Sequence, residues 1–356
     1  MSDAAATAPV PAGGTRRRRA LRVALALGLG PLLLLLLGEA WVRWRHPAYA
    51  DQWSALTSHP RWARTLRPSV SGRLRGLLGE YDTTFHIDAQ GLREARDVEP
   101  KRPGIKRVVC VGDSNTFGLG VNDDQVWVRE LAAAGVEPLN AGWAAGYAPD
   151  CAAVWLEEVG LGLEPDLVIQ QLTPSNELDD LASKSVWETD ASGRLVAVRH
   201  AWDRKVPPFL QALAFPRWLA LQVLPALRGG PAPAPVPAGA GGALEPDAVE
   251  REGLRRLGVA LGQERQLLQA RGVRLLALLV PCPTGEPGAT PGRDARHRSW
   301  IAAAVREAGI DLLDPADSPE WTGAARPVFY EDGHLTLAGN RALGRYAARE
   351  VARRLP

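Results

Sequence analysis

Three times in this chain a helical stretch stops at a glycine and an aliphatic strand begins at once: Gly135–Val136, Gly272–Val273 and Gly309–Ile310. Glycine enters the left-handed conformation that closes a helix without a Cβ penalty. Short apolar runs recur at 107–111 (RVVCV), 136–140 (VEPLN), 166–172 (DLVIQQL), 273–280 (VRLLALLV) and 310–313 (IDLL). They are apolar on both faces rather than alternating, as parallel strands between two helix layers must be. Between them lie helical spacings: Trp127 or Val128 with Leu131, then Ala152, Trp155, Leu156 and Val159, then Leu254, Leu257, Leu261 and Leu268, and a helix from about Ser299. This rhythm predicts an α/β fold, a doubly wound sheet of about five parallel strands.

The chain has 356 residues, enough for one sizeable core with appendages. A net charge of +2 excludes nucleic acid as the main partner, because there is no excess to neutralise phosphates. The three cysteines, Cys110, Cys151 and Cys282, include no C-x-x-C. That excludes a dense disulfide framework and a zinc knuckle, and leaves them as buried hydrophobes or one disulfide. His46, His59, His86, His200 and His297 have no metal-ligand spacing. The stretch GDSNTFGLG lacks the Lys-Ser/Thr of a phosphate loop, and GLGVND lacks the third glycine of a dinucleotide fingerprint. We expect no metal and no cofactor.

Residues 1–20 read as a disordered basic tail, with four arginines at 16–19. Residues 21–42 read as a transmembrane helix. The uncharged core, Val23–Gly38, is only about 24 Å long, but Leu21–Val42 reaches about 33 Å with Arg22 and Glu39 snorkelling. Trp41 and Trp44 would mark the far interface. A signal peptide cleaved after AYA (48–50) is one alternative, and a buried globular helix is another. The arginine cluster would hold the N-terminus in the cytoplasm. The expected location is therefore the cell membrane, single-pass, with the rest extracytoplasmic. Residues 43–103 read as an extension with a turn at Gly91, and 104–356 as the main domain. Within it, 181–250 reads as an insertion: a hairpin turning at Gly193, then a Pro/Gly/Ala linker at 229–246.

In an open parallel sheet, ligands sit beyond the carboxyl ends of the strands. There this chain places Gly112-Asp113-Ser114-Asn115, Asn140-Ala141-Gly142, Thr173-Pro174-Ser175-Asn176-Glu177 and, before the last helix, Glu331-Asp332-Gly333-His334. Each has a plain alternative. Asp113 or Ser114 can cap a helix, Asn140–Gly142 can be a turn, Asn176 a cap, and His334 a surface residue. Their coincidence on one sheet edge favours a shared site. A serine oxygen becomes nucleophilic when a neutral imidazole takes its proton, and a carboxylate fixes the tautomer of that imidazole. Oxyanion donors are each worth on the order of 100- to 1000-fold in rate. Ser114 N–H, Gly142 N–H and the Asn176 amide are the candidates.

The blocks VVCVGDSNTFGLG, NAGWAAGY, TPSNELDD and DGHLTLAGN resemble, in order, the four blocks of the SGNH (GDSL-type) hydrolase superfamily. The resemblance spans roughly residues 104–354. GEYDTTFHIDAQGLREAR (79–96) looks like the segment preceding the domain in membrane-anchored bacterial members. The resemblance implies a flavodoxin-like three-layer α/β/α fold and metal-free ester chemistry. Ser114 would be the nucleophile, His334 the base, and Ser114, Gly142 and Asn176 the oxyanion hole. Many members place the acid three residues before the histidine, here Glu331; others use Asp-x-His, which selects Asp332. Asp332 is the expectation. The third block usually reads Gly-x-Asn-Asp, whereas Pro174-Ser175-Asn176-Glu177 stands here.

The expected activity is hydrolysis of an acyl or acetyl ester on a small molecule, lipid or glycan. The alternatives are acyl transfer to an envelope glycan, separable by product analysis with a glycan acceptor, and a catalytically silent envelope-binding module.

Overall fold

All three helix-stopping glycines have positive φ: 74° at Gly135, 68° at Gly272 and 67° at Gly309. The computed structural model describes residues 13–51, 55–143, 147–201, 213–223, 245–282 and 291–355. Residues 1–12 of the basic tail and most of the Pro/Gly/Ala linker lie outside them.

The strands β1 (Arg107–Gly112), β2 (Glu137–Gly142), β3 (Leu167–Leu172), β4 (Arg274–Leu279) and β5 (Asp311–Leu313) form one five-stranded sheet, ordered β2-β1-β3-β4-β5. Every pairing is parallel. This is the flavodoxin-like order, and its switch point lies between β1 and β3. The longer helices are α1 (Gly13–Arg45), α2 (Pro149–Glu158), α3 (Ala248–Gln269), α4 (Pro291–Glu307) and α5 (Leu337–Arg354). Val109, Val111, Val168, Ala277 and Leu279 bury one sheet face with α2, α3 and α4. Val108, Cys110, Ile169, Leu276 and Leu278 bury the other with α5 and Trp127–Leu131. Three layers follow from strands that are apolar on both sides.

Three boundaries differ from the sequence reading. α1 begins at Gly13, inside the tail expected to be disordered through residue 20, because the Arg- and Ala-rich stretch 16–20 carries the helix on. β2 runs on through Ala141 and Gly142, which we placed beyond the 136–140 run. The polar Asn140 side chain is satisfied inside the sheet, accepting from Gly142 N at 3.0 Å and donating to the Phe117 carbonyl at 3.4 Å. α4 begins at Pro291, ahead of Ser299. Its first turns turn Asp294 and His297 inward where apolar residues would have shown the period. All three cysteines are free.

The extension shares the main core: Leu74, Tyr81, Phe85, Ile87 and Leu92 pack with Val109 and Phe117. Its hairpin, Val70–Arg75 with Asp82–Ile87, leads to a turn at Gly91 with φ 84°. Beyond it, Arg93 N donates to the Asn140 carbonyl (3.0 Å), and Asn140 N to Glu94 Oε1 (2.8 Å). The extension thus covers the open edge of β2, which would otherwise present unpaired backbone groups.

The insertion begins with a hairpin, Ser185–Thr189 with Leu195–His200, turning at Gly193 with φ 82°. It packs on α2 and α3: Trp187 Nε1 donates to Asp150 Oδ2 (2.7 Å), and Gln263 bonds both backbone groups of Leu195. Among the described residues, α1 is the one helix long and apolar enough to cross a membrane.

Candidate active site

β1 ends at Gly112, where a Cβ would lie 2.4 Å from Thr116 Oγ1 and 2.6 Å from Gln171 Oε1. Only glycine allows the chain to turn here against β3. Asp113 caps the next turn, accepting from Asn115 N at 2.9 Å. Ser114–Phe117 form that turn, closed at Gly118 with φ 93°. The capping role falls to Asp113, which leaves Ser114 at the first position with its hydroxyl free of the cap.

That hydroxyl lies 2.9 Å from His334 Nε2. His334 Nδ1 lies 2.9 Å from Asp332 Oδ2, and His334 N donates to Asp332 Oδ1 at 3.0 Å. The carboxylate therefore hydrogen-bonds the backbone of the residue two positions on and faces its ring as a charge partner. Gly333, at φ 84°, makes the tight turn between them. With the ring proton on Nδ1 facing Asp332, Nε2 is free to accept from Ser114. Tyr81 donates to Asp332 Oδ2 at 3.4 Å.

Burial works against a charged His334 ring. The hydrogen bond and charge of Asp332, with Asp113 and Glu80 beyond, outweigh it and raise the pKa above the ordinary histidine value. Burial pushes the Asp332 carboxyl up, but the His334 contacts outweigh it, and its pKa is lowered.

The three oxyanion candidates differ in readiness. Ser114 N–H sits at the first position of a helical turn, where it has no intrahelical acceptor. Gly142 N–H is occupied by the Asn140 side chain. Asn176 Nδ2 makes two long contacts, 3.4 Å each, to Asp113 Oδ2 and Asp180 Oδ2, and its Oδ1 is buried without a partner. Gly142 is needed for space in any case: a Cβ there would lie 2.2 Å from Phe117 N.

In the third block, Glu177 is buried and accepts from Thr173 N at 3.1 Å. Burial, with Asp113 nearby, pushes its pKa well up. Burial likewise lifts Asp180 to about 6, against the pull of Lys184.

Several residues that organise the site had no role in the sequence reading. Asn115 donates to Thr173 Oγ1 (3.2 Å) and accepts from Leu335 N (3.3 Å), tying the first, third and fourth blocks together. Asn340 accepts from Trp127 N and donates to the carbonyls of Leu335 and Thr336, fixing the start of α5. Arg93 is fully buried and donates to the carbonyls of Phe117, Gly118 and Val121. Asn115 and Asn340 stand inside the quoted blocks and were legible as candidates. Arg93 lies in a polar stretch with no period to mark it.

Fold and site together define a doubly wound α/β protein with a Ser-His-Asp constellation at the switch point of its sheet. No family model matches the chain, and no curated protein matches it. Among solved structures it is similar to a lipase/acylhydrolase from Enterococcus faecalis, at 15% identity over 71% of this chain and 98% of that one, with a TM-score of 0.40. It is similar to a GDSL-like lipase from Bacteroides thetaiotaomicron, at 14% identity over 72% and 93% of the two chains, with a TM-score of 0.39. A psychrotrophic esterase from Pseudoalteromonas sp. matches at 11% identity over 70% and 98%, with a TM-score of 0.39.

Proposed function

We propose that the protein is a membrane-anchored, extracytoplasmic serine esterase that hydrolyses an acyl or acetyl ester. The observation that carries this reading is the 2.9 Å approach of Ser114 Oγ to His334 Nε2, across 220 positions of sequence. Asp332 on the far side of the ring and the ordered resemblance to SGNH hydrolases support it.

In this reading His334 takes the Ser114 proton as Oγ attacks the ester carbonyl. Asp332 steadies the imidazolium that forms. The tetrahedral oxyanion is met first by Ser114 N–H. Asn176 Nδ2 turns to it from the two carboxylates, and Gly142 N–H joins if the Asn140 side chain releases it. His334 then protonates the leaving alcohol, and a water activated by the same ring hydrolyses the acyl-enzyme. The N-terminal arginine cluster and the apolar α1 support the anchor and its orientation.

A fluorophosphonate probe tests the reading, because it modifies only an activated serine. Wild type should be labelled and Ser114→Ala should not. Equal labelling of the two would end it.

A further inference from the structure

We propose that residues 213–223 form a second membrane contact, lying in the headgroup–acyl boundary of the bilayer beside the outer end of α1. The inference rests on reading α1 as the anchor, and its partner is a lipid surface.

Glu39 interrupts the apolar run of α1, yet its carboxylate is not simply left to water. Oε1 accepts from Ala214 N at 3.0 Å and Oε2 from Phe215 N at 2.8 Å, so Glu39 caps the short helix Ala214–Trp218. Arg43, one turn further along α1, donates to the same carboxylate at 2.6 Å. Next to it, Gly38 leaves space for a ring: a Cβ there would lie 2.8 Å from Phe215 Cδ2. Trp218 stands edge-on to Trp41 at 5.2 Å and stacks on His46 at 6.0 Å. Gln222 Nε2 donates to the Tyr49 hydroxyl at 2.7 Å, and Arg217 to the Tyr49 carbonyl. The segment is therefore fixed along residues 38–49, at the outer end of α1 and the turn that follows it.

That outer end is at the membrane surface. Leu21–Gly38 is about 27 Å of helix, close to the ~30 Å hydrocarbon thickness, so Glu39 onward emerges at the interface. Phe215, Trp218, Leu219, Leu221 and Val223, with only Arg217 and Gln222 as polar residues, suit the headgroup level. Leu221 is 51% exposed, and Leu36, Leu37, Trp41 and Trp44 at the same end of the anchor helix are exposed as well. Water would be a poor partner for these exposed apolar side chains, and lipid a good one.

The test uses the full chain with Cys282→Ser; Cys110 and Cys151 are buried. Leu221→Cys, Leu33→Cys and Val259→Cys are labelled separately with an environment-sensitive fluorophore and reconstituted into phosphatidylcholine/phosphatidylglycerol vesicles. Leu33 reports α1, and Val259 reports an exposed position on α3. We expect a blue shift at 221 with loss of emission to a spin label near the headgroups, quenching at 33 by a deep spin label, and neither at 259. Emission at 221 as water-like as at 259, while 33 is quenched, overturns the inference and leaves the anchor standing. A blue shift at 221 that no lipid label quenches means that protein covers the segment, and also overturns it. An unquenched 33 removes the anchor and the inference together.

Discussion

The guanidinium of Arg93 donates to the Phe117 carbonyl at 2.7 Å, which puts a residue of the extension directly beneath the turn that presents Ser114. The same group reaches the carbonyls of Gly118 and Val121, pairs with Asp123 at 2.8 Å and lies over the Phe117 ring. A planar fork serves several acceptors at once, which a lysine ammonium cannot. Arg93→Met should leave three buried carbonyls without their donor and Asp123 with His86 alone, and cost about 3–5 kcal/mol of stability. Arg93→Lys should recover only part of it. Thermal unfolding of the three proteins checks the order, and an Arg93→Met protein melting within a degree of wild type would refute it.

The choice between neighbouring acids is sharp. The Asp332 side chain lies 2.9 Å from His334 Nδ1 and is only 20% exposed, whereas Glu331 precedes it on the same exposed turn with no hydrogen bond or ion pair to that ring. Asp332→Asn should lower kcat on the order of 10³- to 10⁴-fold, because the ring loses the partner that fixes its tautomer. Glu331→Gln should leave kcat within about twofold, since a surface substitution touches none of this geometry. Steady-state turnover of a chromogenic acetyl ester separates the two. The reverse ranking would assign the acid to Glu331.

Much of the fold was legible because its signals are local. A helix-stopping glycine and a doubly apolar strand need no knowledge of distant residues, and Gly135, Gly272 and Gly309 mark three crossings. The clustering of Ser114, Asp332 and His334 was legible from strand ends in an α/β sheet. What stayed hidden depends on side-chain to backbone bonds that leave no periodic pattern in the sequence. Asn140 reads as a turn residue until its side chain is seen accepting from Gly142 N within β2 and donating to the Phe117 carbonyl in the turn after β1. Arg93 answers loop carbonyls about 25 positions away, which leaves no period to find. The glutamate at 177 reads as a departure from the usual aspartate, yet its longer side chain reaches back to Thr173 N.

Space and donors near Ser114 can be tested apart. Gly142→Ala would drive its Cβ to 2.2 Å from Phe117 N and 2.5 Å from Thr116 C, both backbone atoms that cannot rotate away. The turn must shift, so we expect overpacking of about 1–3 kcal/mol and loss of fluorophosphonate labelling together. Asn176→Ala removes a donor without adding bulk. It should lower kcat on the order of 10²- to 10³-fold while the probe still labels Ser114, only more slowly. An Asn176→Ala enzyme with unchanged kcat would take that amide out of the proposed oxyanion hole.

The pH profile follows from the His334 environment. The ring must be neutral to take the Ser114 proton, so activity falls as pH drops through its pKa. Asp332, with Asp113 and Glu80 beyond it, overcomes the effect of burial and raises that pKa. The acid limb of kcat/KM should therefore lie above the ordinary histidine value of about 6.5. Asp332→Asn removes the main raising influence and leaves the burial, which favours the neutral ring. The limb of this slower enzyme should move to lower pH, below the wild-type value. Profiles of kcat/KM against pH for both proteins, at fixed ionic strength, give the comparison. A wild-type limb below about pH 6, or one that Asp332→Asn moves upward, would mean that Asp332 does not govern the charge on this ring.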